Sequence, residues 1–127
     1  MTVAPTPTPR LLRNAALVFA GGTVGAGLRF ALTSLVPLGS MWTTLAINLV
    51  GAFALGVLTA IALRRGTEQL RLLLGTGLLG GFTTYSSFAF DVSTLAAYGD
   101  FTWVVVTLAS LFGGFALSAL GWRLGGA

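Results

Sequence analysis

Four long apolar runs, separated by short polar breaks, organise almost the whole chain. They cover about residues 14–36, 42–63, 70–98 and 101–124. A membrane-crossing helix needs about 20 mostly apolar residues, and each run reaches that length. The breaks between them are typical of turns. Pro37, Leu38, Gly39 and Ser40 form the first, Arg64 to Glu68 the second, and Gly99 and Asp100 the third. The pattern predicts an all-α integral membrane protein with one four-helix domain over residues 10–127. Residues 1–9 alternate Thr and Pro, lack core-forming side chains, and read as a disordered tail. The first run is too long for the apolar part of a secretory signal, about 7–15 residues, so it reads as a retained helix.

The third run differs from the others. Its segment 75–91, GTGLLGGFTTYSSFAFD, puts four glycines ahead of two threonines and an aromatic/hydroxyl alternation. Gly80-Gly81 followed by Thr83-Thr84 is poor material for a continuous helix. A break would free backbone carbonyls at membrane depth, which is tolerated only inside protein or around a cavity or ion. Glycine packing beside an aromatic core is the plainer explanation. Small residues recur at helical spacing at Gly21/Gly25, Gly77/Gly81 and Ser110/Gly114/Ser118. They point to close helix contacts, within one subunit or, as we read them, in an oligomer that is at least a dimer.

Composition agrees with the pattern. Of 127 residues, 55% are hydrophobic and 8% charged, and the mean hydropathy is +0.91. Soluble domains carry about 25% charged residues, so this chain cannot clothe a globule in polar surface. It has neither Cys nor His, which excludes thiol chemistry, disulfides, Cys/His metal sites and an imidazole base. No nucleophile–base pair suggests an enzyme. Every cation is an arginine and the net charge is +4. Seven dispersed arginines make no dense patch for nucleic acid. Arg10, Arg13, Arg64, Arg65, Arg71 and Arg123 all fall at the termini or the second break, and the other two breaks carry none. The positive-inside rule puts both termini in the cytoplasm.

Polar groups inside the runs are the candidate chemistry, because each is costly at membrane depth. Arg29 either snorkels to the interface or attracts anions at an aqueous vestibule. Asn48 shares a helical face with Thr44; the pair offers an amide and a hydroxyl as donors, or a helix–helix hydrogen bond. Tyr85 and Phe88 share a face beyond the glycines, with Ser86 and Ser87 beside them. Asp91 faces an arginine of another span, a wet mouth, or simply the interface.

At these residues the chain resembles the Fluc/CrcB family of fluoride channels. The pattern G-x-x-G-A-x-x-R-aromatic is met by Gly22, Gly25, Ala26, Arg29 and Phe30. The pattern T-L-x-[VI]-N-x-x-G is met by Thr44, Leu45, Ile47, Asn48 and Gly51. G-G-x-T-T-F-S-T-F stands here as Gly80, Gly81, Phe82, Thr83, Thr84, Tyr85, Ser86, Ser87 and Phe88, with Asp91 as the acid that follows. The resemblance spans all four runs, and its third motif is specific. It implies an antiparallel, dual-topology-like dimer with two narrow fluoride pores for passive efflux of cytoplasmic fluoride. It also implies a sodium ion at the subunit interface, held by the carbonyls of Gly80 and Thr83. The fluoride path would use Asn48, Thr44, Tyr85, Phe88, Ser86, Ser87 and Ser110, with Thr107 less securely matched and Arg29 near a vestibule. The implied setting is the inner (plasma) membrane.

Two features depart from the family pattern. Tyr85 stands where Phe is usual. The six-to-zero arginine bias suits one insertion direction, so an oppositely oriented paralogue is as natural a partner as a second copy. The alternatives are a small multidrug-type cation exporter and a noncatalytic membrane assembly protein. The exporter needs a carboxylate, typically in its first span, where this chain has Arg29. The assembly protein leaves the TTYSSF cluster without a purpose.

Overall fold

A computed structural model describes residues 8–36 and 39–126. Among these every regular element is a helix, and three helices are each long and apolar enough to cross a membrane. Helix α1 is Thr8–Leu35, α2 is Ser40–Arg65, α3 covers residues 68–82, α4 is Tyr85–Ala97, and α5 is Thr102–Gly126. The third apolar run is therefore divided between α3 and α4.

Local chemistry accounts for most boundaries. Residues 1–7 of the expected tail lie outside the described residues, but Thr8 and Pro9 already form the first turn of α1. Proline suits that position because its missing N–H would have no helical partner there. Pro37 and Leu38 of the first turn also lie outside the described residues. Gly39 precedes α2 with φ 83°, and Ser40 is helical rather than part of the turn. Helix α2 ends at Gly66, whose φ of 64° gives a left-handed cap with its N–H on the carbonyl of Ala62. Arg64 and Arg65 complement the helix dipole in that last turn. Asp100 starts α5: its Oδ1 accepts from the N–H of Thr102 at 2.9 Å and from its hydroxyl at 2.6 Å. These two bonds hold the Asp100 carboxyl below its ordinary range.

Two tight helix pairs make the bundle. In the first, α1 lies on α3 along a seam of glycines. A methyl group added at Gly21 would strike the carbonyl oxygen of Leu73, at Gly25 that of Leu78, and at Gly81 that of Gly22; at Gly77 it would lie 2.8 Å from the oxygen of Val18. In the second, α2 lies on the C-terminal half of α5. There Gly56 meets the Ser118 carbonyl, and Gly121 and Gly125 meet the backbone of Phe53 and Val57. The Gly21/Gly25 and Gly77/Gly81 spacings, read from sequence as oligomer contacts, thus close on each other within one subunit. Gly114 has open space instead.

Helix α2 is the central element. It carries most of the buried side chains, including Leu45, Ile47, Leu58, Thr43 and Thr44. Helix α4 contributes no buried residue. Large apolar side chains such as Phe19, Phe90, Phe112 and Phe115 are at least 70% exposed. Burying a Phe side chain contributes about 1.5–3 kcal/mol, so this surface gains stability only against an apolar surrounding.

Candidate functional site: a broken helix bracketed by asparagine

The helix break falls within the expected segment, at Thr83-Thr84 rather than at the glycine pair. Gly80 stays helical at φ −63°, ψ −38°, because the close approach of Gly81 to Gly22 needs a regular backbone there. Thr83 (φ −77°, ψ 158°) and Thr84 (φ −147°, ψ 125°) are extended. Two side chains make this conformation self-consistent. Thr83 donates its hydroxyl to the Leu79 carbonyl at 2.8 Å. Its methyl occupies the space a side chain at Gly51 would fill. Thr84 then caps α4, its oxygen accepting from the N–H of Ser87 at 3.2 Å.

Asn48 brackets the break from α2. Its Nδ2 donates to the Thr84 carbonyl at 2.9 Å, and its Oδ1 accepts from the Thr84 N–H at 2.9 Å. One amide side chain thus satisfies both backbone groups of the residue least able to use a helix. An amide NH2 has two hydrogens, so one donor of Asn48 remains. The bracket also frees carbonyls. In an unbroken helix the N–H of Thr84 would bond Gly80 and that of Ser87 would bond Thr83. Here they go to Asn48 and to the Thr84 hydroxyl.

Two cavities meet at Thr84. The larger, about 640 Å³, brings together Asn48, Gly80, Thr83, Tyr85, Phe88, Thr107 and Ser110. Apolar Leu55, Leu79 and Leu111 complete its wall. The smaller, about 200 Å³, gathers Arg29, Thr44, Ser87 and Thr33. Ser86 lines neither, although its hydroxyl lies 3.3 Å from that of Thr84. Stretches of widened, π-type helix, Arg71–Leu79 and Ala109–Gly113, both reach the larger cavity. Such widened turns are frequent at functional sites.

The donors are unequally available. Ser87 accepts from the Thr84 hydroxyl at 3.2 Å, which leaves its own hydrogen for the smaller cavity. Thr44 and Ser110 make no side-chain hydrogen bond among the described residues, so each keeps a donor. Thr107 is different: its hydroxyl donates to the Trp103 carbonyl at 2.7 Å. Thr33 is likewise committed to the carbonyls of Arg29 and Phe30. No carboxylate lines either cavity, and Arg29 is their one charged side chain. Arg29 forms no ion pair among the described residues. Asp91 does not meet an arginine. Its Oδ1 stands 3.5 Å from the Ser40 hydroxyl at the start of α2, where the helix dipole favours a carboxylate, and its Oδ2 is buried without a partner. Tyr85 sits on the rim of the larger cavity, 82% exposed.

Sequence reasoning missed Thr84 as the shared wall of the two cavities and Gly51 as the seat of Thr83. The Gly51 signal was present, three residues after Asn48 on the same helix, but nothing in the chain alone says which methyl group needs the space.

Comparison with known proteins bears directly on this arrangement. A family model described as "CrcB-like protein, Camphor Resistance (CrcB)" matches residues 16–122. A fluoride-specific ion channel FluC of Agrobacterium fabrum is 39% identical over 122 residues, covering 82% of this chain and 94% of the relative. One of Thermus thermophilus is 38% identical over 117 residues, covering 87% and 94%. One of Mesorhizobium japonicum is 46% identical over 87 residues, covering 65% and 70%. The matched residues hold α2, α3, the break, α4 and most of α1 and α5, and on that extent of agreement the chain belongs to the CrcB family.

Proposed function

We propose that this chain is a subunit of a fluoride-selective channel that lets cytoplasmic fluoride leave the cell passively. The observation that carries the reading is the lining of the two cavities. They present free donors from Asn48, Ser87, Thr44 and Ser110, the aromatic rings of Tyr85 and Phe88, one arginine and no carboxylate. Fluoride is small and strongly hydrated, so a pore must offer compact donors at close range. Amide and hydroxyl groups do this, and aromatic ring edges are positive. A carboxylate would repel the anion, and Arg29 raises the local potential. These features favour an anion; the relatives named as fluoride-specific channels supply the choice of fluoride. A cation exporter finds no carboxylate in α1, and a catalytic role finds no nucleophile–base pair in either cavity.

The same surfaces support an antiparallel assembly. The larger cavity is an open groove bordered by the exposed Tyr85, so a second subunit in antiparallel orientation would close it. The freed carbonyls of Gly80 and Thr83 fit a hard cation such as sodium, which prefers oxygen ligands. Bound there, sodium would fix the break electrostatically and add positive potential beside the path. The arginine bias favours one insertion direction, inner membrane with both termini cytoplasmic. The antiparallel partner is then a second copy of this chain or a paralogue of opposite bias.

Phe88→Ala tests the path. Removing the ring from the half-buried wall of the larger cavity is expected to lower fluoride efflux from proteoliposomes by about tenfold or more, the equivalent of roughly 1.4 kcal/mol. Unchanged efflux would place the path elsewhere. Tyr85→Phe is expected to retain efflux within about threefold, since the aromatic edge is preserved.

A further inference from the structure

We propose that the arginine-rich end of the bundle holds an anionic phospholipid headgroup in a cleft between α2 and α3. The cleft, about 240 Å³, is lined by Leu63, Gly66, Thr67, Glu68 and Arg71, among others. Arg10 Nη2 lies 2.9 Å from Glu68 Oε2, tying the start of α1 to its edge. Hydrogen bonding to Arg10, then its charge, and then the charges of Arg13 and Arg71 hold the Glu68 carboxyl below its ordinary range. Glu68 is therefore ionised at neutral pH and already paired. Glu68 is paired with Arg10, which leaves the Arg71 charge unmatched on the cleft wall.

The donors present suit a phosphate. The guanidinium of Arg71 offers a planar fork of N–H groups. Thr67 makes no side-chain bond to the helix it precedes. The first helical bond there is from Arg71 N to Thr67 O, so the N–H groups of Glu68, Gln69 and Leu70 begin α3 without backbone acceptors. The surroundings suit a lipid rather than a free ion. Leu63, Leu11 and Leu12 stand exposed beside these charges, at 65%, 58% and 65%, as a surface for acyl chains. Basic pockets between membrane helices at the arginine-rich side are suited to acidic headgroups.

The test uses the purified full chain in detergent, with bound lipid counted by native mass spectrometry. Phosphatidylglycerol is the probe and phosphatidylcholine the zwitterionic control. Phosphatidylglycerol is expected to bind at least about tenfold more tightly. Each cation near an anionic surface contributes about 1 kcal/mol, or about fivefold. Arg71→Gln should therefore weaken binding about fivefold, while Glu68→Gln should tighten it about fivefold. Arg71→Lys, which keeps the charge but loses the fork, should bind more tightly than Arg71→Gln and more weakly than the unaltered chain, and guards against a folding defect in Arg71→Gln. Equal binding of the two lipids would overturn the proposal. So would a Glu68→Gln variant that binds no more tightly, or displacement of the lipid by inorganic phosphate at equal concentration, which would make this a site for free anions.

Discussion

Asn48→Ala should destroy both the break and fluoride efflux. The substitution removes the two bonds, each 2.9 Å, that satisfy the Thr84 N–H and carbonyl. Each backbone group left unpaired away from water costs about 1–3 kcal/mol, and no helical partner is in register to replace Asn48. The expected loss is therefore roughly 2–6 kcal/mol at the break, enough for α4 to lose its position against α2. Asn48→Asp separates structure from conduction. A carboxylate can still accept from the Thr84 N–H but cannot donate to its carbonyl when ionised, and it puts a negative charge on the wall of the larger cavity. We expect it to lower fluoride efflux from proteoliposomes by about a hundredfold or more, the equivalent of roughly 2.7 kcal/mol, even where the protein remains monodisperse. Efflux that survived Asn48→Asp would remove Asn48 from the path.

The second large effect lies in the glycine seam between α1 and α3. Alanine at Gly25 or Gly81 would drive its methyl into a backbone carbonyl of the facing helix. Backbone cannot rotate aside as a side chain can, so the helices must separate. Overpacking by one methyl group costs about 1–3 kcal/mol, which exceeds the roughly 1 kcal/mol that alanine gains over glycine inside a helix. Thermal unfolding in detergent is expected to shift downward for either variant. Gly25→Ala with Gly81→Ala should shift it further, though not additively, because both changes open one seam. Gly114→Ala is the control: nothing lies within 4 Å of its added methyl, so helix propensity alone acts, and stability should hold or rise slightly. A melting temperature lowered as much by Gly114→Ala as by Gly81→Ala would contradict the packing described here.

The hydrophobic runs made the helical class, the number of runs and most boundaries readable, because apolar length and turn residues are local properties. The third run was readable as irregular for the same reason. Its break was read over Gly80-Gly81 and Thr83-Thr84 together; the threonines are the extended residues, while Gly80 and Gly81 are helical. Glycine lacks a Cβ both for bending and for close approach, and only the facing helix decides which use applies. Gly81 is needed against Gly22, as Gly21 is against Leu73. The same ambiguity turned the Gly21/Gly25 and Gly77/Gly81 spacings toward an oligomer contact when they are each other's partners. At the site, Asn48 was legible as a costly amide in an apolar helix. Its partner was not, because a bond across 36 residues depends on how two helices cross. Nor could the sequence divide the hydroxyls into two cavities, with Arg29, Thr44 and Ser87 on one side of Thr84 and Ser110 on the other. Thr107 is drawn off by Trp103 through an ordinary helical back-bond, which its position alone could not announce.

The central claim is an anion path selective for fluoride, and efflux from liposomes tests it most directly. The purified protein would be reconstituted alone, and then together with a family member of opposite arginine bias, with fluoride and chloride release followed by ion-selective electrodes. The account predicts fast fluoride release with chloride retained, in at least one of the two preparations, and loss of that release with Asn48→Asp. Fluoride retained in both preparations, or chloride released as fast as fluoride, would contradict it.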